Sequence, residues 1–439
     1  MTARESAFLS LQKYEHSGVY PNIELSYAIE RGGLVGAERA LYTALFYGVI
    51  ERKLTLDYYI EAVSSRPLGE IDGDVLVILR LGLYQLLYLS RIPESAAVNE
   101  SVALARRFYA KKNSEGFVNA VLREFLRRRK TLSLPTREAG FGRYASVAYS
   151  VPVWICELWR DAYGEDTAER MLSTLDAHPT LTLSVNTLKT TRDALLRDLA
   201  VAGIDAEPSA LCPTSVRLRN NTPMALLEPF FDRAFVQDET SALCALAVGA
   251  EAGDTVLDAC ACPGGKSFAM AIAMQNRGKI LSRDLHKNKL SLIESGAARL
   301  GIDIIETGTQ DASVRDESLP PLRKILCDVP CSGLGVLAKK PDIRYKKQED
   351  IVRLPALQAE ILDVSAGYLA VGGTLVYSTC TLNPAENRGQ IASFLARHPS
   401  FSLCPFRVGA LDAPDGILEV LPHTHGTDGF FIAKLKREA

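Results

Sequence analysis

The stretch TVLDACACPGGKSFAMAIAM, residues 255 to 274, decides the fold of the carboxyl-terminal half. A short apolar run leads into a turn holding Gly264 and Gly265, and apolar residues at helical spacing follow, which predicts strand, turn and helix. Glycines in such a turn let the backbone approach a ligand closely, and the helix start offers unpaired N–H donors. The spacing matches neither G-x-G-x-x-G nor G-x-x-x-x-G-K-[ST], so a nucleotide phosphate is a poor fit. Asp284 lies twenty residues beyond Gly264, closing the run KILSRD, where an acid can accept hydrogen bonds from ribose hydroxyls. Together these features suggest an adenosine cofactor without a pyrophosphate. An ordinary turn and a surface acid would read the same way, so the other strand ends carry the decision.

From RAFVQDETSALCALAV (233–248) onward the same texture repeats, with short apolar runs such as KILCDVP and GTLVYSTC each followed by a polar turn and a helix. Strands alternating with helices predict a mostly parallel, doubly wound α/β sheet, Rossmann-like in kind, over 229–439. Ligands bind outside the carboxyl ends of the strands in such sheets. Two of those ends carry cysteines, in LCDVPCSG (326–333) and VYSTCTLN (376–383). Cysteine inside an apolar strand is usually inert core, whereas at a strand end beside a helix start it is a candidate nucleophile. Cys331 and Cys380, taken with Asp328 and the glycine turn, point to chemistry.

The first 130 residues are apolar at helical spacing with few strand signals, so 1–140 is expected to be an all-helical domain. In LVILRLGLYQLLYL, Leu76, Leu79, Leu83 and Leu87 share a face, and EGFVNAVLREFLRRR is expected to bury Phe117, Val118, Val121, Leu122 and Phe125. Residues 141–228 mix helical runs with the strand-like TLTLSVNTL, which suggests a small α+β module linking the larger parts.

Of 439 residues, 47% are hydrophobic and 23% charged, with a formal net charge of −2, which fits a multidomain soluble protein. Local charge departs from this average. Residues 101–140 hold ten Lys or Arg against three acids, a balance of +7, and KKPDIRYKK (339–347) forms a second basic run. Two basic clusters in an otherwise acidic chain favour a polyanionic partner over a merely solvated face. The nine cysteines lack the paired spacings of a zinc site or a secreted disulfide framework, so no metal is expected and the thiols are read as reduced and cytoplasmic. No signal peptide or membrane span is read, because VLVILRLGLYQLLYLS is interrupted by Arg80 and Gln85.

The motifs DACACPGGKS, DVPCSG, KKPDIRY, YSTCTLNPAEN and DGFFIAKL, with Asp284, resemble the RNA cytosine-5 methyltransferases that use S-adenosyl-L-methionine. The amino-terminal GLYQLLYLSRIPESAAVNESVALA and GFVNAVLREF resemble the NusB-like RNA-binding domain fused to that catalytic domain in the RsmB (Sun) group of 16S ribosomal RNA methyltransferases. The likeness spans nearly the whole chain.

It implies that Cys260, Ala261, Cys262, Pro263, Gly264, Gly265 and Lys266 hold the methionine and adenosine portions of the cofactor, Asp284 the ribose and Asp311 the adenine region. Asp328 would border both cofactor and cytosine, Cys380 would be the nucleophile, and Cys331 would assist product release. The implied partner is naked 16S RNA, met by a monomer. Departures from the family pattern are Cys262 for alanine, Ser267 for threonine, Thr381 for serine, and Ala385 where a second acid is frequent, which leaves the role of Glu386 open. Asn387 can be read as a helix cap. Rival readings are the same chemistry on transfer RNA or another ribosomal site, a DNA cytosine methyltransferase using Cys331, and a non-catalytic RNA-binding or antitermination factor. The last would have no need of aligned thiols.

Overall fold

The computed structural model describes residues 1–109, 114–177, 180–220 and 222–439. Lys111 and Lys112 of the basic segment lie outside the described residues. The chain forms two compact units, one of Met1–Leu175 with Lys340–Lys346, the other of Asp176–Lys339 with Lys347–Ala439.

The first unit is helical. Helix Ala3–Ser17 starts in a capping box, with Thr2 and Glu5 each satisfying the other's backbone N–H, and stops at Gly18 in the left-handed region (φ 62°). Helix Gly73–Tyr88 is apolar nearly all round because it is central: Val77, Ile78, Leu79, Leu81 and Leu83 are all buried. Its one buried cation, Arg80, is paired bidentately with Asp57 (2.7 and 2.9 Å) and also meets Glu15 at 3.0 Å. Pro93 stands at the start of the next helix, Glu94–Phe108. In helix Ser114–Arg128 the residues Val118, Val121, Leu122 and Phe125 are buried, whereas Phe117 is half-buried under the Arg66 guanidinium.

The segment Lys340–Lys346 keeps Lys340 and Lys346 exposed but takes Arg344 out of the surface of the second basic run. Arg344 is 2% exposed and donates to the carbonyls of Glu51 (2.9 Å) and Tyr149 (3.4 Å), and the Tyr345 hydroxyl donates to Ile50 O at 2.7 Å. A planar guanidinium with five donors can cap several helix carbonyls at once, so this arginine is structural.

The second unit opens with an antiparallel sheet of strands β1 (Thr182–Val185), β2 (Ala206–Pro208), β3 (Ser215–Leu218) and β4 (Ala234–Val236), in the order β2-β3-β1-β4. Helix Arg192–Val201 packs Leu195 and Leu199 onto Leu183, Val185, Val216 and Leu218.

The large sheet contains β5 (Thr255–Asp258), β6 (Lys279–Asp284), β7 (Ile305–Thr309), β8 (Leu322–Asp328), β9 (Leu369–Thr379) and β10 (Phe401–Leu403). After a separate small pair, β11 (Phe406–Val408) and β12 (Leu411–Ala413), come β13 (Ile417–Val420) and β14 (Phe430–Arg437). The order is β10-β14-β9-β8-β5-β6-β7, with β13 also on β14. Strands β5 to β9 pair in parallel, and β14 runs antiparallel to β9. Alternate side chains feed two separate cores: Val256, Ile280, Leu326 and Val376 on one face, Leu257, Leu281, Ile325 and Leu375 on the other. Covering both faces is why these strands read as continuous apolar runs. The winding reverses between β5 and β8, and a crevice at such a reversal is where an open α/β sheet takes its ligand.

Candidate active site

Five strand ends converge at that crevice. Residues 259–264 follow β5, Asp284 ends β6, Asp311 lies beyond β7, Asp328 ends β8 with Cys331 after it, and Cys380 follows β9. A cleft of about 480 Å³ is lined by Cys260, Cys262, Pro263, Asp284 and Asp311, with Leu285, Leu292, Pro330, Leu357 and Ile361 among its apolar walls. Asp284 accepts from the Cys262 amide (3.2 Å) and the His286 amide (2.9 Å), so its carboxylate is fixed in direction. Asp311 accepts from the Ser313 hydroxyl (2.6 Å) and amide (3.0 Å), and these bonds, the hydroxyl first, hold its carboxyl below the usual range. Burial, reinforced by the Asp284 charge, pushes the Cys262 thiol up to about 12, and burial raises Cys260 as well. Both are neutral lining groups.

Ala261, Gly264, Gly265, Lys266 and Asp328 are not part of that lining. Gly264 (φ 108°) precedes helix Gly265–Ala273, and a Cβ there would also meet the Phe268 ring at 2.6 Å, so glycine is required twice over. Ala261 is buried and its amide donates to Arg283 O at 2.8 Å.

Lys266 points elsewhere: its Nζ lies 2.7 Å from Asp328 Oδ2 and 5.5 Å from the centre of the Phe430 ring. Burial works against the Lys266 charge, but the Asp328 carboxylate outweighs it and holds the ammonium above its ordinary range. The other oxygen of Asp328 accepts from the Ser378 hydroxyl at 2.7 Å.

The two cysteines meet. Cys331 Sγ and Cys380 Sγ are 3.2 Å apart, both partly exposed and neither in a disulfide. The hydrogen-bonding contact with Cys380, then burial, pushes the Cys331 thiol well above its usual range, with the Glu386 and Asp328 charges adding to it. Gly335 donates its amide to Cys380 O at 3.0 Å and accepts from the Gly429 amide at 2.8 Å; a Cβ on Gly335 would collide with Gly429 O.

One group escaped the sequence reading, and one reads differently in the structure. Asp258, at the end of β5, is wholly buried, and the Ser267 hydroxyl donates to it at 2.7 Å. Asn387 makes no cap bond for the helix Arg388–Arg397; its side chain bonds Thr379 and Thr381 instead. Lys339 of the second basic run is engaged as well, paired with Asp238 and with Asp428 (2.8 Å). Among the described residues no group of metal-binding side chains is found and no helix is long and apolar enough to cross a membrane.

Comparison with known proteins assigns each part. Residues 245–436 match the family described as 16S rRNA methyltransferase RsmB/F, residues 1–127 the NusB family, and residues 151–225 the ferredoxin-like domain of RsmF/B-like methyltransferases. The chain is 39% identical over 449 residues to "Probable ribosomal RNA small subunit methyltransferase B" of Bacillus subtilis, covering 100% of this chain and 99% of that one. It is 34% identical over 403 residues to "Ribosomal RNA small subunit methyltransferase B" of Salmonella dublin, covering 91% and 90%. The solved structure of PH0851 shares the fold, with a TM-score of 0.81 at 24% identity, covering 99% of this chain and 98% of that one. The methyltransferase homolog protein from Pyrococcus horikoshii aligns with a TM-score of 0.59 at 26% identity over 67% of this chain and 97% of its own. The three family matches lie along this one chain, the relatives align over nearly its full length, and the chain belongs to the ribosomal RNA small subunit methyltransferase B family.

Proposed function

We propose that the protein methylates carbon 5 of a cytosine in 16S ribosomal RNA, using S-adenosyl-L-methionine and a covalent cysteine–cytosine intermediate. The observation that carries this reading is the pair of thiols 3.2 Å apart beside Asp328 at neighbouring strand ends. The cleft suits the cofactor: a fixed carboxylate at Asp284 for ribose hydroxyls, apolar walls for a base, and no anion-binding glycine loop. When bound, that group supplies an electrophilic methyl. The division into 1–140, 141–228 and 229–439 belongs to the same proposal.

Carbon 5 of cytosine is a weak nucleophile until a thiolate adds at carbon 6. Cys380 takes that role. Cys331 keeps its proton 3.2 Å away, which supports a donor function towards the Cys380 sulfur. Once carbon 5 carries the methyl, a base takes the carbon-5 proton, the carbon 6–sulfur bond breaks and Cys380 leaves as thiolate, a release in which Cys331 takes part. Asp328 holds the base. Its carboxylate can accept from the exocyclic amine while Lys266, at 2.7 Å from it, donates to N3 and offsets charge developing there. The reacting edge is hidden in a stack, so the target is single-stranded or flipped out.

The test is incubation of the purified protein with methyl-labelled cofactor and, in parallel, naked 16S RNA and transfer RNA, followed by bisulfite sequencing of each. One protected cytosine in 16S RNA is expected. Label entering transfer RNA alone would overturn the substrate assignment.

A further inference from the structure

Glu386 and Asn387 are adjacent, both fully buried, and neither touches a cysteine sulfur in any contact described above. Their side chains diverge. Glu386 Oε2 accepts from the Ser332 amide at 2.9 Å, and Gln358 Nε2 donates both to that oxygen and to Pro330 O, each at 2.9 Å. The residues on both sides of Cys331 are thereby held through one carboxylate. Asn383 Nδ2 fills the other oxygen at 2.9 Å, and the Tyr377 hydroxyl fixes the Glu386 carbonyl at 2.7 Å.

Asn387 does the same for Cys380. Its Oδ1 accepts from the Thr379 hydroxyl at 2.6 Å and its Nδ2 donates to Thr381 O at 2.9 Å, so the residues on both sides of that cysteine are gripped by one amide. A hydroxyl contact of 2.6 Å between Ser332 and Thr381 ties the two loops. Every partner named except the exposed Pro330 is buried, where an unmet donor or acceptor is costly and alternative geometries are few.

We propose that Glu386 and Asn387 are paired positioning residues, Glu386 setting the thiol of Cys331 and Asn387 that of Cys380. The assignment of chemical steps to the two thiols rests on the function proposed above, but the pairing itself does not. In Glu386→Gln one amide N–H must face a donor, which loosens the Cys331 loop alone; in Asn387→Asp an acceptor faces Thr381 O, which loosens the Cys380 loop alone.

The experiment measures iodoacetamide modification of each cysteine in the purified full chain, by peptide mass spectrometry across pH, with no RNA present. Glu386→Gln is expected to change the rate and pH profile of Cys331 several-fold and leave Cys380 near wild type; Asn387→Asp is expected to do the reverse. Parallel changes at both cysteines in both variants, or none, would overturn the pairing. Should either variant fail to fold, Gln358→Met removes two bonds from the first grip, Thr379→Val removes one from the second, and they carry the same expectations. Labelled-methyl adduct gels then attach the chemistry. Glu386→Gln should behave like Cys331→Ala and Asn387→Asp like Cys380→Ala, so a wrong nucleophile swaps the parents while a wrong pairing separates each variant from its parent.

Discussion

Asp258 shows how one buried group connects sequence to behaviour. It closes β5 with its second oxygen, Oδ1, unpartnered among the described residues. Burial raises its carboxyl to about 7, against the opposing hydrogen bond from Ser267. An acid whose folded value exceeds its unfolded one binds more protons when folded, so its contribution is fully present below about pH 4 and is lost as pH rises towards 7. Asp258→Asn should therefore gain thermal stability relative to the parent between about pH 5 and about pH 8, with a ceiling on the order of 4 kcal/mol. A pH-independent difference would mean the carboxyl is not the titrating group. The residue lies in the stretch 255–274, where its type and position gave no sign of a role. Its burial is imposed by β6 and β8 on either side, which no local pattern reveals. The cysteines were legible for the opposite reason: position after an apolar run is a local property. Their 3.2 Å approach, and the grips of Glu386 and Asn387, depend on long-range pairing.

At the scale of elements, a count of charges carries no information on burial or pairing. In helix Ser114–Arg128 the arginines 127 and 128 pair with Glu124, and Arg129 just beyond it pairs with Glu94, yet all three remain exposed. Exposed pairs are weak, so these cations stay available to phosphates. Replacing Arg127, Arg128 and Arg129 by Gln should weaken RNA binding and flatten the plot of log affinity against log salt by roughly 0.7 for each lost single-strand contact. An unaltered slope would make them a solvated face. In the run 339–347 Arg344 spends its donors on helix carbonyls and Lys339 pairs with Asp238 and Asp428, while Lys340, Lys346 and Lys347 stay exposed. Helix and strand periods, by contrast, are written directly in the order of apolar residues, which is why the central helix and the parallel strands could be read.

For the whole molecule, alternation of strand and helix was enough to predict a doubly wound sheet. The winding reversal between β5 and β8 was not visible, since strand order is set by which crossovers cover which face. That reversal makes the glycine turn after β5 and the two cysteine loops neighbours, and it underlies the proposal that two thiols divide one reaction. The most direct measurement is a denaturing gel of Cys331→Ala and Cys380→Ala after incubation with 16S RNA and methyl-labelled cofactor, with cofactor affinity and thermal stability measured beside it. Cys331→Ala should accumulate a protein–RNA adduct carrying the methyl label, because attack and transfer proceed and release does not. Cys380→Ala should bind both ligands and give neither adduct nor methylated RNA. An adduct in Cys380→Ala and none in Cys331→Ala would contradict the account and give the nucleophile role to the cysteine after β8.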